Sequence, residues 1–220
     1  MHRLNSFLKL EKVESTNDIA KESGLRGERG LVVSALYQNA GRGRNGREWI
    51  SSGGGLYLSI VIEKTDLLPF RTALAVSEVI DGFLGSGISK IKWPNDVLVR
   101  GKKISGILCE GFMNFDVAGI GINVNNEVTL ECTTSLGREL DRNIDLNYLL
   151  SVVAGSLNKW LTHDDVLTYY RKKCATMGRR VRVLLSTGEV SGIADMDEKG
   201  FLLVDGRAIS VYETMRVEKD

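Results

Sequence analysis

Between residues 41 and 49 three glycines and three arginines interleave, in Gly41-Arg42-Gly43-Arg44-Asn45-Gly46-Arg47-Glu48-Trp49. Glycines relieve the steric limits on backbone torsion and let amide N–H groups approach a ligand closely. Guanidiniums are permanently charged forks that match carboxylate and phosphate. A loop with both features suits a ligand carrying several negative charges, while a solvated basic turn is the plainer use of the same residues. The second dense cluster is Lys92-Trp93-Pro94-Asn95-Asp96. Pro94 fixes the chain there, and Asn95-Asp96 can hold a turn through bonds from side chain to backbone. Asp96 could equally help bind Mg²⁺ or anchor a nearby arginine, and a single carboxylate does not decide between these. Lys103 is either a solvated lysine at a hairpin turn or a compact point charge placed where phosphate charge develops during transfer. Arg42, Arg44, Arg47 and Lys103 together would supply the cations that align two mutually repelling anions, which argues for nucleotidyl transfer.

Two better-known glycine motifs fit less well. Gly41, Gly43 and Gly46 match G-x-G-x-x-G after an apolar run, but a dinucleotide fingerprint must open an amphipathic helix. Residues 47–55, Arg-Glu-Trp-Ile-Ser-Ser-Gly-Gly-Gly, do not. A P-loop needs Lys and Ser/Thr where Arg47 and Glu48 stand, so the hydroxyl that ligates magnesium is missing.

The 220 residues allow one sizeable domain and a small appendage. A net charge of +1 provides no whole-molecule field to attract nucleic acid or a membrane surface, so the useful positive charge must be local. Cys109, Cys132 and Cys174 are odd in number and far apart, which fits reduced thiols in a cytoplasmic protein rather than a disulfide scaffold or zinc site. His2 and His163 lack catalytic neighbours in sequence, against a Ser-His-Asp triad. No apolar run approaches the length of a membrane span.

The elements that must position these residues follow from periodicity. Residues 7–13, 31–37, 55–62 and 115–124 read as strands, and residues 97–99 and 104–110 as a hairpin turning at Arg100-Gly101-Lys102-Lys103. Ser15, Thr16 or Asn17 would cap a short helix stopped by Gly24. Residues 69–84, 146–161 and 166–174 read as helices, the first covering the sheet with Pro69 near its first turn. Residues 125–145 are polar and long for a routine connection, as in a mobile functional loop. Past Met177-Gly178 come short strands at 181–184, 190–193, 201–204 and 209–211, divided by turn signals at Gly188, Gly200 and Gly206. They predict a small β-barrel and place a domain boundary near residue 176.

Five stretches in order carry a resemblance to biotin protein ligases: Ser15-Thr16-Asn17; Gln38 with residues 41–49; residues 92–96; Lys103-Ile104-Ser105-Gly106-Ile107-Leu108; and Gly119-Ile120-Gly121-Ile122-Asn123. The first loop matches the family's GRGRxGRxW pattern at every fixed position. The resemblance spans essentially the whole chain and implies an α+β fold. Its parts would be a mixed sheet with helices, of the class II aminoacyl-tRNA synthetase and biotin ligase type, over residues 1–175, and a small SH3-like β-barrel over 176–220. It implies that biotin's carboxylate attacks the α-phosphate of ATP, with Mg²⁺ present, and that an acceptor lysine of a biotin carboxyl carrier domain then takes the biotinyl group from the adenylate.

By position the resemblance implies that Ser15, Thr16, Asn17 and Gln38 bind the polar head of biotin. Gly41, Arg42, Gly43, Arg44, Lys103 and Gly106 complete the biotin site. Arg42, Arg44, Arg47, Trp49, Asn95, Asp96, Lys103 and Asn123 would serve ATP and the adenylate, with residues 134–138 folding over the adenine. Arg44 and Lys103 are the catalytic candidates and Asp96 the metal candidate. A homodimer is implied by the family only. With 14 residues before Ser15 there is no room for the DNA-binding domain that some members carry, so direct operator binding is not expected. Lipoate ligases share the adenylation logic, and Ser52-Gly53-Gly54-Gly55 faintly resembles their glycine-rich stretch. A nucleic-acid-binding protein using the same loop on phosphates is the reading from a different class, disfavoured by net charge and by the lack of interleaved aromatics.

Overall fold

The apolar and alternating runs form the strands of a seven-stranded mixed sheet. They are β1 (Ser6–Val13), β2 (Leu31–Gln38), β3 (Leu56–Glu63), β4 (Ser89–Lys92), β5 (Asp96–Val99), β6 (Lys102–Gly111) and β7 (Phe115–Ile122). Their spatial order is β1-β2-β3-β7-β6-β5-β4. β1 and β2 run parallel, and the other neighbours are antiparallel. The structure, a computed structural model, describes Leu4 and residues 6–219, so His2 lies outside the described residues.

Every residue of β7 is buried, because the centre of the sheet is covered on both sides. On one side Leu58, Ile60, Ala118 and Ile120 belong to a core shared with the helices α2 (Leu68–Leu84), α4 (Leu146–Leu161) and α5 (Val166–Lys173). Ala73, Leu74, Val76, Val79 and Ile80 form the buried stripe of α2, at the spacing of an amphipathic helix. On the other side α1 (Thr16–Leu25) lays Ala20 against Val33, Val61, Phe115 and Val117. Ser15 takes the N-cap position of α1 without making a side-chain cap bond. Gly24, read as a stop, lies inside the helix, which ends past it at Leu25. A Cβ at Gly24 would lie 2.2 Å from the Phe115 ring, so the glycine lets helix and sheet close together.

Residues 125–145 are not the open loop that their polarity suggests. They contain α3 (Leu136–Leu140), capped by Ser135. Asn125 exchanges two hydrogen bonds with the backbone of Ile144, at 2.8 and 2.9 Å. Lys103 N–H donates to Cys132 O, and Thr134 N–H donates to Lys103 O. Polar side chains are used here to satisfy a buried irregular backbone.

The C-terminal strands are β8 (Arg180–Leu185), β9 (Gly188–Met196), β10 (Leu202–Val204), β11 (Arg207–Ile209) and β12 (Thr214–Lys219). They form an antiparallel sheet in the order β11-β10-β9-β8-β12. Among the described residues β11 and β12 do not pair, so the expected barrel is here an open five-stranded sheet. Val181, Val183, Ala194, Met196, Leu202 and Val204 join the same apolar core as the helices. The strand expected at 209–211 sits two residues earlier, and β12 was not legible from the sequence.

Candidate active site

α1 covers only part of its face of the sheet, and the uncovered part is the floor of a cleft. Cross-strand register sets Gly106 opposite Gly121 and Gly121 opposite Tyr57; in the next row Leu108 faces Gly119 and Gly119 faces Ser59. The floor is therefore three glycines from two adjacent strands, whose lack of side chains makes room for Asn17 and Trp49. A Cβ at Gly119 would lie 2.2 Å from Asn17 Oδ1, and one at Gly121 would lie 2.4 Å from Trp49 Nε1. The cavity volume is about 120 Å³, below the range of about 300–1,000 Å³ usual for small-molecule sites.

At one end stands the start of α1. Thr16 donates from both its N–H and its hydroxyl to Gln38 Oε1, at 2.8 and 3.0 Å. Gln38 Nε2 then donates to Ser51 Oγ at 2.9 Å. Ser59 Oγ donates to Asn17 Oδ1 at 2.5 Å and lies 2.7 Å from Thr16 Oγ1, while Asn17 Nδ2 donates to Glu110 Oε2 at 2.6 Å. Ser15, Thr16, Asn17 and Ser59 are all buried, so the orientation of every donor and acceptor is fixed by its neighbours. Such a network suits a flat polar group with both N–H and C=O edges.

Across the cleft lies the Gly/Arg loop, folded as a short hairpin. Trp49 N–H donates to Gly41 O at 2.8 Å and Gly43 N–H to Arg47 O at 2.6 Å, with Arg42 and Glu48 paired antiparallel through their backbones. At the tip Asn45 and Gly46 have positive φ, 57° and 70°. Arg42 makes a bidentate ion pair with Asp18 of α1, at 2.9 and 2.5 Å. The tip docks on the C-terminal sheet: Arg44 donates to the carbonyls of Val211 and Thr214, Asn45 to those of Thr214 and Met215, and Arg47 to that of Met215. Arg44 also reaches Asn95 Oδ1 at 3.4 Å. Burial lowers the pKa of the Arg44 guanidinium, the neighbouring Arg47 adds to the shift, and Asp96 opposes it. A half-buried cation held by neutral oxygens is a favourable place for an anion.

Lys103 comes to this group through a fault in the β5–β6 ladder. Asp96 pairs with Gly106 and Leu98 with Lys103, with the register shifting between Val97 and Leu98. In an unbroken strand residues 103 and 106 would face opposite sides; the extra residue puts both on the cleft side. Lys103 Nζ there lies 2.7 Å from Asp96 Oδ1 and 5.1 Å from the centre of the Trp49 ring. Trp49 itself spans Gly106 and Gly121, and its Nε1 is buried without a hydrogen-bond partner. Asn95 serves the β5–β6 pairing rather than its own turn, donating to Ile107 O at 2.8 Å. Lys92 lies beside Asp96, with its pKa lowered chiefly by burial.

Of the residues singled out from sequence, Ser15, Thr16, Asn17, Gln38, Arg42, Gly43, Arg44, Arg47, Trp49, Asn95, Asp96, Lys103 and Gly106 line this cleft. Gly41 and Asn123 do not. Gly41 lies under its own hairpin, where a Cβ would be 2.5 Å from Ser51 Oγ. Asn123 is turned to the 125–145 segment, donating to Thr134 O and accepting from Asn126. Sequence reading missed Asp18, Ser59, Glu48 and Glu110. Ser59, a lone hydroxyl in an apolar strand, was the only visible signal among them. Among the described residues no three His, Cys, Asp or Glu side chains gather to hold a metal, and Asp96 is paired with Lys103.

Comparisons with known proteins show the family and the fold. Residues 10–127 match the model of the biotin/lipoate A/B protein ligase family. The biotin--[acetyl-CoA-carboxylase] ligase of Mycobacterium tuberculosis is 36% identical over 203 residues, covering 83% of this chain and 76% of that protein. The bifunctional ligase/repressor BirA of Escherichia coli is 29% identical over 218 residues, covering 89% of this chain and 68% of BirA. The structure of the Aquifex aeolicus biotin protein ligase with biotin and ATP superimposes with a TM-score of 0.87 at 28% identity, covering 98% of this chain and all of that one. With more than half of its length inside the family model and a relative this similar, the chain belongs to the biotin/lipoate A/B protein ligase family.

Proposed function

We propose that this chain is a biotin–protein ligase working in two steps in the one cleft. A carboxylate oxygen of biotin attacks the α-phosphate of ATP, the bond to the β-phosphate oxygen breaks, and pyrophosphate leaves. The uncharged ε-amine of an acceptor lysine, on a biotin carboxyl carrier domain, then attacks the acyl carbon; AMP leaves and the amine proton is lost. The observation that carries the reading is the juxtaposition of two unlike ends: the buried hydrogen-bonding network at Thr16, Asn17 and Gln38, and the cations Arg44 and Lys103. The first suits the ureido head of biotin, the second the place where carboxylate and phosphate meet.

Within this reading Lys103 meets the charge that grows on the α-phosphate, and Asp96 aims its ammonium. Arg44, oriented by main-chain carbonyls, offers its remaining donor capacity to the adenylate phosphate. Trp49 shields the reacting centre above the glycine floor. Mg²⁺ arrives with the nucleotide, as part of the substrate. The catalytic unit is residues 1–175 and the C-terminal unit 176–220, the latter holding the loop tip. A cytoplasmic site of action accords with the unpaired cysteines at 109, 132 and 174.

Exchange of labelled pyrophosphate into ATP tests the proposal. Exchange should require biotin, and exchange that is independent of biotin or supported by lipoate instead would overturn it. Lys103→Ala should slow single-turnover adenylation by about a hundredfold or more while biotin still binds, the size of effect seen when one transition-state charge contact is lost.

A further inference from the structure

We propose that Asp18 is a positioning residue for the Gly/Arg loop, its carboxylate clasping Arg42 so that the base of the loop is set beside the α1 N-terminus before any ligand arrives. Three observations carry this. The Arg42–Asp18 pair is bidentate, with two parallel bonds at 2.9 and 2.5 Å, a geometry that fixes direction as well as distance. It joins the loop to the same first turn of α1 that supplies Thr16 and Asn17, so loop and polar network cannot shift independently. The neighbouring backbone is stitched in the same direction: Asn39 N–H donates to Val13 O and Ala40 N–H to Glu14 O, and the Asn39 amide donates to Glu14 Oε1 at 2.8 Å.

The physical logic is preorganisation. Three glycines within six residues make this loop costly in conformational entropy to order. An internal carboxylate that orders the base removes part of that cost from the binding step. The charges around the pair are balanced, with Lys21 near Asp18 and Glu110 near Arg42. Arg42 then acts on the ligand through the loop it holds, its guanidinium being committed to the Asp18 carboxylate rather than to the anionic groups of a ligand. The hairpin tip is secured separately by the carbonyls of residues 211–215. The kinetic part of the proposal rests on the biotin-ligase reading; the loop-ordering part does not.

The test compares wild type, Asp18→Asn and the charge-reversed pair Asp18→Arg with Arg42→Asp. In the ligand-free full chain, amide hydrogen exchange over residues 39–49 should be about fivefold faster in Asp18→Asn, the scale of a half-exposed ion pair. Residues 31–36 and 56–63 should be unchanged. The KM for biotin in pyrophosphate exchange should rise by a similar factor, with the single-turnover rate at saturating biotin kept within about twofold. The charge-reversed pair should restore both readouts. Unchanged loop exchange in Asp18→Asn, or a reversed pair no better than the single variant, would overturn the clasp. Absence of biotin-dependent exchange in the wild type would instead defeat the ligase reading, and the hydrogen-exchange comparison would still decide the role of Asp18.

Discussion

On one face of the seven-stranded sheet, Leu58, Ile60 and Ile120 fill space against α2 and α4; on the other, the same strands present Gly119 and Gly121 to a cleft, with Ser59 buried beneath Thr16 and Asn17. Successive residues of a strand point to opposite sides, so β3 and β7 serve a packed interior and a ligand floor with alternate residues. The two faces fail differently. The packed face is harmed by removing atoms, since the space left loses its contacts. The cleft face is harmed by adding them, since the space above the glycines holds the Asn17 and Trp49 side chains that line the cleft. A side chain's value here is set by its parity in the strand more than by its chemistry.

The largest expected effect breaks the packed face. Ile60→Ala should cost about 2–5 kcal/mol of stability in urea unfolding, with the KM for biotin of the folded enzyme unchanged. A shifted KM at unchanged stability would mean the faces are not separable. Gly119→Ala should act on binding. Its Cβ would displace the Asn17 amide, which lies 2.2 Å away. Breaking that buried network should weaken biotin binding by roughly tenfold to a hundredfold in calorimetry. Because Asn17 is buried and bonded to Ser59 and Glu110, stability should fall as well, by about 1–3 kcal/mol.

Gly43→Ala sharpens the comparison within the loop. Gly43 is extended, with φ −104°, and a Cβ there would meet nothing closer than Arg47 O at 3.5 Å. Stability should stay within about 0.5 kcal/mol, and a drop in biotin affinity of a few fold would then report close approach of the ligand to this backbone. Affinity equal to wild type would make Gly43 dispensable. The smallest effect is on pH. Arg42 bonding holds the Asp18 carboxyl below its ordinary value of 3.8. A depressed carboxylate contributes its stabilisation above the unfolded pKa and loses it as pH falls through the folded one. Loop protection at residues 39–49 should therefore be flat above about pH 5 and decline only below the ordinary carboxylate range. Asp18→Asn should abolish that decline.

Much of the architecture was legible because its signals are local. Strand alternation, the apolar stripe of α2 and the glycine turns of the C-terminal sheet all repeat within a few residues, and the observed boundaries fall close to those read. The Gly/Arg loop and the turn at 92–96 were visible for the same reason, since their residue types are dense in sequence. What escaped were partners far along the chain. Nothing near Asp18 announces Arg42, and nothing near Arg44 announces the carbonyls of Val211 and Thr214. Gly24 misled because a glycine near a helix end resembles a stop, whereas this one is shaped by the Phe115 ring.

The sequence by itself determined the kinds of element, the two clusters that carry charge, and the family that their order resembles. Each is a property of residue type and short-range period, which tertiary contacts refine but do not create. Only the tertiary structure decided which groups share a side. The shifted register between β5 and β6 turns Lys103 toward Gly106 and the cleft, where simple alternation would set them on opposite faces. That choice depends on how one strand pairs with its neighbour, and pairing energy is spread over many backbone bonds that no single residue type encodes.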